Sequence, residues 1–316
     1  MSTSVGIVST RRDPGAFVFL ALMVLIGSST ATAAKFAVRE LPVGLLPLIR
    51  FGIASLCLVP ILAQSESWRK LFREDFGRLA VAALLCVPVN QTFFLNGTRL
   101  APTTHVGLIY AACPLVVLLL ATALGQERLV AARVGGILVT VAGAVVIGIG
   151  SLMNQGTESS RELWGDLLLV GAVASWGGYL TVNKPLVARH GSMAVLAGTF
   201  LLGSLIDLPI AALTYPRHTS WGVISPAAWW GVAHLALVVT VLGLACQNQA
   251  LRRLDASQVA TIGNAAPLLT IVWGVWLLGE TITVSLVIGG ALILGGILWT
   301  GRSGRIADKT GVNPAV

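Results

Sequence analysis

The sequence predicts an all-α integral membrane protein with ten transmembrane helices in two inverted five-helix repeats. Three observations carry that prediction. Of 316 residues, 55% are hydrophobic and only 11% charged, where a soluble domain carries about 25% charge. Ten apolar runs, roughly 16–36, 43–62, 77–97, 103–124, 131–150, 165–186, 192–214, 229–250, 257–279 and 283–301, each approach the ~20 residues that cross a hydrocarbon core. Finally, a motif recurs. Leu124–Gly143 reads LGQERLVAARVGGILVTVAG and Leu277–Gly296 reads LLGETITVSLVIGGALILGG. At an offset of 153, Pro114 falls on Pro267, Glu127 on Glu280, Gly136 on Gly289 and Gly143 on Gly296.

Charge sets the orientation. With the N-terminus inside, cytoplasmic segments hold fifteen Lys and Arg and external ones five, with Arg50 inside a helix. That bias places both termini in the cytoplasm. Five spans per half is an odd number, so the second half enters the membrane inverted, as in secondary transporters. The expected division is a tail over 1–15, a first repeat over 16–150, an external linker over 151–164, a second repeat over 165–301 and a tail over 302–316. The expected location is the cell (inner) membrane.

Taken in order, the first run follows Arg11 and Arg12 and precedes Ala31-Thr32-Ala33, which mimics a signal peptide. Its pairing with the sixth run, Leu20 on Leu169 and Lys35 on Lys184, argues instead for a retained span. Ser28, Thr32 and Lys35 form one helical stripe there. Trp176, Tyr179 and Asn183 form the corresponding stripe in span 6, with Lys184 next, and are expected to wall a cavity. Hydroxyls in such stripes also bond back to their own helix. Each lysine is either a snorkelling helix end or a gating group. Span 2 carries Arg50 and span 7 Asp207. Charges within spans face a partner or a wet cavity. Both fall in the outer half, and they are expected to interact as an ion pair or to serve in coupling.

Asn90 and Gln91 in span 3, Tyr110 in span 4, Gln247 in span 8 and Asn264 in span 9 lie deep and are expected to face the same cavity, because buried amides in lipid need partners. His105 and His234, near span ends, are expected to be interfacial hydrogen-bonders. The glycines Gly135, Gly136, Gly143, Gly289, Gly290, Gly295 and Gly296 are expected on close helix-packing faces. Four cysteines, all within apolar runs and none in a CxxC, point to neither disulfides nor metal. No nucleotide-binding loop, metal-ligand spacing or nucleophile elbow occurs, so no catalytic residue, cofactor or metal is expected. The basic residues serve topology rather than a nucleic-acid patch. The expected partners are a small-molecule substrate and the lipid bilayer.

These features resemble the drug/metabolite transporter superfamily, EamA type: two inverted fives, a Lys closing span 1, Arg50-Phe51 in span 2, Pro114 and Pro267 within helices, and the Gly/Leu-x-Glu…Gly…Gly endings. The first-span family motif is partly kept as Gly27-Ser28-Ser29, with Ile26 in place of its Trp. Trp176-Gly177-Gly178-Tyr179 keeps the aromatic in the second copy. The resemblance implies a secondary exporter of amino acids and other metabolites, with a cavity lined by spans 1, 3, 4, 6, 8 and 9. Spans 4, 8 and 9 contain no Lys or Arg to clamp a phosphate. The residues therefore favour small neutral or zwitterionic substrates, amino acids first. Organic cations or sugar derivatives are the alternative, and a membrane-embedded sensor or enzyme the alternative of another class.

Overall fold

The computed structural model describes residues 14–63, 67–125, 131–153, 157–215, 223–243, 245–246 and 265–309. These form a bundle of helices with no strand among the described residues. Five helical segments are long and apolar enough to cross a membrane: Val18–Val38, Phe76–Leu100, Thr103–Ala123, Ser160–His190 and Ser192–Leu213. Five shorter apolar helices accompany them: Leu46–Pro60, Val134–Ile147, Pro226–Leu242, Ala266–Leu278 and Val284–Trp299.

Several predicted spans are interrupted, each for a local reason. The first divides at Ser29 into α1 (Pro14–Ser28) and α2 (Thr30–Val38). Ser28, Ser29 and Thr30 each donate their hydroxyl to the carbonyl three residues back, a side-chain competitor that tightens and bends a helix. After α3 (Leu46–Ala63) and a short amphipathic α4 (Ser67–Glu74) not foreseen from sequence, span 3 comprises α5 (Phe76–Leu84), a π-helical turn at Leu85–Val89, and α6 (Asn90–Leu100). Pro88 lies within the π turn, where its missing N–H breaks the regular ladder. Span 4 divides at Ala112 into α7 (Thr103–Ala111) and α8 (Cys113–Ala123), with Pro114 at the start of the second piece.

Then come α9 (Ala131–Met153), α10 (Thr157–His190) and α11 (Ser192–Leu213). α12 (Pro226–Ala233) continues into a π-helical stretch, His234–Leu242. α13 (Ala266–Leu278) and α14 (Val284–Lys309) complete the described chain. The expected linker over 151–164 is thus largely helical, because α9 extends to Met153 and α10 starts at Thr157. α14 likewise runs on through the expected tail to Lys309.

The seam between α9 and α14 is backbone on backbone. A Cβ on Gly143 would stand 2.5 Å from the Gly289 carbonyl, one on Gly289 would stand 2.7 Å from the Gly143 carbonyl, and one on Gly296 would collide with the Gly136 carbonyl. Without side chains the two axes approach closely, which is how helices gain dispersion contact in lipid. Between these contacts Thr140 donates toward the Ile293 carbonyl at 3.5 Å, across a separation of 153 residues. Adding or subtracting 153 exchanges the Gly143–Gly289 contact with the Gly136–Gly296 contact. Gly295 differs from the expectation: nothing lies within 4 Å of its Cβ position, so it does not serve the seam.

Polar ties fix the two ends of the bundle. At one end Lys35 Nζ donates to the carbonyls of Thr98 (2.8 Å) and Ala101 (2.5 Å). There too Glu40 accepts from the Ser225 amide and hydroxyl, each at 2.6 Å, and these bonds from Ser225 hold its carboxyl below the usual range. At the other end Asp75 accepts from His190 (2.9 Å) and Arg189 (3.3 Å). The His190 bond first, and Arg189 after it, keep the Asp75 carboxyl below its ordinary value against the opposing effect of burial.

Candidate substrate-binding site

A cavity of about 820 Å³ lies between α1, α2, α3, α6, α7, α8, α10, α11, α13 and the His234–Leu242 stretch. It reaches toward the α10–α11 corner, where Asn183, Val187 and Ser192 line it, while Lys35, Thr103 and Glu280 at the opposite end do not. Its wall is mostly apolar and aromatic, with polar groups at a few points, as small-molecule sites require.

The polar groups form one hydrogen-bonded chain. Arg50 donates from Nε to the Thr240 hydroxyl (3.0 Å) and from Nη1 to Gln91 Oε1 (3.2 Å). Gln91 Nε2 donates to Asn90 Oδ1 (2.9 Å). Asn90 Nδ2 donates to the Ala172 carbonyl (2.8 Å) and more weakly to the Ser175 hydroxyl (3.3 Å) and Tyr110 (3.5 Å). The two π-helical segments position this chain. Asn90 and Gln91 are consecutive, yet both line the cavity and both are buried; they follow directly on the wide turn at Leu85–Val89. Thr240 donates to the Leu235 carbonyl five residues back (2.8 Å), the π spacing, and so presents its oxygen to Arg50.

Arg50 is therefore a cavity residue held by two neutral partners. Its guanidinium also lies 4.9 Å from the Phe51 ring centre. The guanidinium has five N–H donors and makes two hydrogen bonds among the described residues, so donors remain for a ligand. Farther along the wall, Trp176 and Tyr179 present adjoining rings, with centroids 5.0 Å apart. Asn183 also lines the cavity, and its buried Oδ1 has no hydrogen-bond partner among the described residues.

Of the sequence-predicted residues, the structure brings together Asn90, Gln91, Tyr110, Trp176, Tyr179 and Asn183, and adds Arg50 to them. Ser28 and Thr32 lie off the lining, where Gly27, Thr30 and Ala31 stand instead. The break at Ser29 turns that face: Ser28 receives the Trp273 indole N–H (2.9 Å), and its carbonyl receives the Thr270 hydroxyl (3.0 Å), joining α1 to α13. Lys35 is bound at the helix end and Lys184 is exposed. Gln247, Asn264 and Glu127 lie outside the described residues.

The expected Arg50–Asp207 contact is absent in this conformation. Arg50 turns to Gln91 and Thr240, while Asp207 on α11 is buried, with neither carboxylate oxygen partnered among the described residues. α3 and α11 do pack together. The guanidinium nonetheless chooses the cavity, where hydrogen-bond acceptors await it. His105 and His234 are hydrogen-bonded, to Asp166 (2.9 Å) and Ser29 (2.8 Å) respectively. The π-helical segments were not foreseen. Pro88 was the available signal in the first, and the second has no proline to mark it.

A multi-pass helical bundle with a central, mostly apolar cavity defines a class of small-molecule carriers. A model of the EamA-like transporter family matches residues 14–149 and 163–302, and the chain belongs to that family. It is similar to an uncharacterized transporter, YetK, of Bacillus subtilis: 27% identical over 297 residues, covering 93% of this chain and 89% of YetK. A probable terminal-alkyne amino-acid exporter of Streptantibioticus cattleyicolor is 27% identical, covering 90% of this chain and 92% of that protein. The threonine/homoserine exporter RhtA of Salmonella typhimurium is 28% identical, covering 87% and 88%. A protein of known crystal structure shares the fold with a TM-score of 0.62 at 22% identity, covering 92% of this chain and 98% of that one.

Proposed function

We infer that this transporter exports small zwitterionic metabolites, amino acids first, from the cytoplasm by alternating access. The observation that carries the reading is a pair of spare groups in one cavity. Among the described residues, Arg50 makes two hydrogen bonds from five donors, and Asn183 Oδ1 has no partner. A substrate carboxylate suits the guanidinium, and its ammonium suits the amide oxygen and the adjoining Trp176 and Tyr179 faces. The cavity wall has a fixed cation and, among its described lining, no carboxylate. That combination disfavours organic cations. Similarity to two amino-acid exporters points the same way.

In this reading ten helices cross the cell membrane, both termini are cytoplasmic, and the halves 16–150 and 165–301 are inverted repeats that rock about the cavity. The exchange of the α9–α14 glycine contacts by 153 residues is what a two-fold relation between such halves requires. The Lys35 end is then external and the Asp75 end cytoplasmic.

Amino-acid counterflow in proteoliposomes tests the substrate. Arg50→Met is expected to lower flux by roughly tenfold to a hundredfold, the worth of one charge-assisted hydrogen bond, with an unchanged gel-filtration profile. Asn183→Ala is expected to cost less. If no amino acid competes while organic cations or sugar phosphates are carried, the zwitterion reading fails.

A further inference from the structure

We propose that Glu280 is the gate that closes the bundle at the end away from the α10–α11 corner, by clasping the junction of α6 and α7, which Lys35 braces from within the first half. This rests on the alternating-access reading. The corner has two exposed needs. α6 stops before Pro102, and the last carbonyls of a helix lack intrahelical donors. α7 begins after Pro102, which occupies the N-cap position and offers no side-chain cap. The first amides of α7 therefore need an acceptor from elsewhere.

Both needs are met by side chains from different parts of the chain. Lys35 on α2 donates to the carbonyls of Thr98 and Ala101. Glu280, between α13 and α14, accepts the Thr103 amide on Oε1 (2.6 Å) and the Thr104 amide on Oε2 (2.8 Å). Ammonium at a helix C-terminus and carboxylate at an N-terminus each match the helix dipole. The local chain is shaped for this contact. Gly279 takes a left-handed turn at φ 66° that ends α13, and the Glu280 amide returns to the Gly274 carbonyl at 3.2 Å. Gly274 has no side chain to obstruct the carboxylate: a Cβ there would lie 2.7 Å from Glu280 Oε2.

Most helices cap themselves with a Ser, Thr, Asp or Asn. Here the cap of a helix in one half is supplied by the other half, 177 residues away. Such a cap is made or broken whenever the halves move relative to one another. α7 carries Gly107 and Tyr110 into the cavity wall, so release of its N-terminus frees a cavity-lining helix. The buried hydroxyls of Thr98 and Thr103 have no partner among the described residues in the clasped state, which leaves acceptors and donors for a second arrangement of the same corner.

The test uses sided labelling of Cys113, which lines the cavity, in protein whose other cysteines are replaced by Ala. Membrane vesicles of both orientations are treated with an impermeant maleimide. The parent protein is expected to label from the Lys184 side and weakly from the Lys35 side. Glu280→Ala and Lys35→Met are each expected to raise labelling from the Lys35 side several-fold. A second variant, Glu280→Ala with Pro102→Ser, restores a local cap to α7. Recovered thermal stability with labelling still raised supports the gate. Unchanged sidedness in both single variants, or a return of parental sidedness with the new cap, overturns it and leaves Glu280 a structural cap. Labelling needs no substrate, so failure of amino-acid counterflow in the parent refutes the zwitterion reading separately and leaves the gate to be judged by sidedness alone.

Discussion

The α9–α14 seam and the cavity wall both join distant parts of the chain, and they do so with opposite materials. At the seam, Gly143 faces Gly289 and Gly136 faces Gly296 with no atoms to spare. At the wall, Arg50, Gln91 and Asn90 reach across with long side chains, and Asn183 leaves an acceptor unused among the described residues. In lipid, helices gain nothing from hydrophobic exclusion, so a permanent contact is best made by close packing. A contact that must admit a ligand is built from adjustable polar groups. The difference predicts that added volume destroys the seam, while loss of a polar group at the wall costs transport first.

The largest effect expected is at the seam. Gly289→Leu would drive its Cβ within 2.5 Å of Ile147 and 2.7 Å of the Gly143 carbonyl. The obstruction is backbone, so a rotamer change in a neighbouring side chain cannot relieve all of it. Folded yield by fluorescence-detected gel filtration should collapse. Gly295→Leu, with open space at its Cβ position, should stay within about 0.5 kcal/mol of the parent, as surface substitutions usually do. Equal behaviour of the two variants would break the distinction.

A smaller effect separates the two intramembrane charges. Arg50→Met removes the donor to Gln91 and Thr240 and is expected to cost about 1–3 kcal/mol. Asp207→Leu removes a carboxylate with no partner among the described residues and is expected to be neutral or stabilising. The charges share no partner in this conformation, so the double variant should be additive within about 0.5 kcal/mol. Thermal unfolding in detergent measures the cycle. A strong coupling would show that the ensemble contains a state in which they meet.

The smallest effect is at the Asp75 end. The Asp75 carboxyl is depressed in the folded protein, chiefly by His190. Its contribution is therefore present above the ordinary aspartate value of about 4 and is lost as pH falls through the lower folded value. Parent protein should lose melting temperature more steeply than Asp75→Asn as pH drops through that window. Identical slopes would show the tie to be neutral.

The sequence by itself determined the class of fold, the apolar helices and that glycines such as Gly143 and Gly289 lie on packing faces; which helices those faces join, α9 to α14, came from the structure. Hydropathy, charge bias and a Pro–Glu–Gly–Gly pattern repeated at one offset are properties of the chain, readable without coordinates. It also picked out six of the residues on the cavity wall, because aromatic and amide side chains deep in an apolar run have few other places to go. Only the tertiary structure decided the rest. The breaks at Ser29 and Ala112 and the two π-helical segments rotate helix faces, so a regular 3.6-residue stripe misplaced Ser28 and Thr32. Depth in the bilayer groups Arg50 with Asp207 but does not say which way the guanidinium turns. Its partners in this conformation, Gln91 and Thr240, lie 41 and 190 residues away in sequence. Glu280 showed as a repeated motif residue with no stated task. Its task depends on the N-terminus of a helix 177 residues distant, and a hydrogen bond between elements exists only once packing has brought donor and acceptor together.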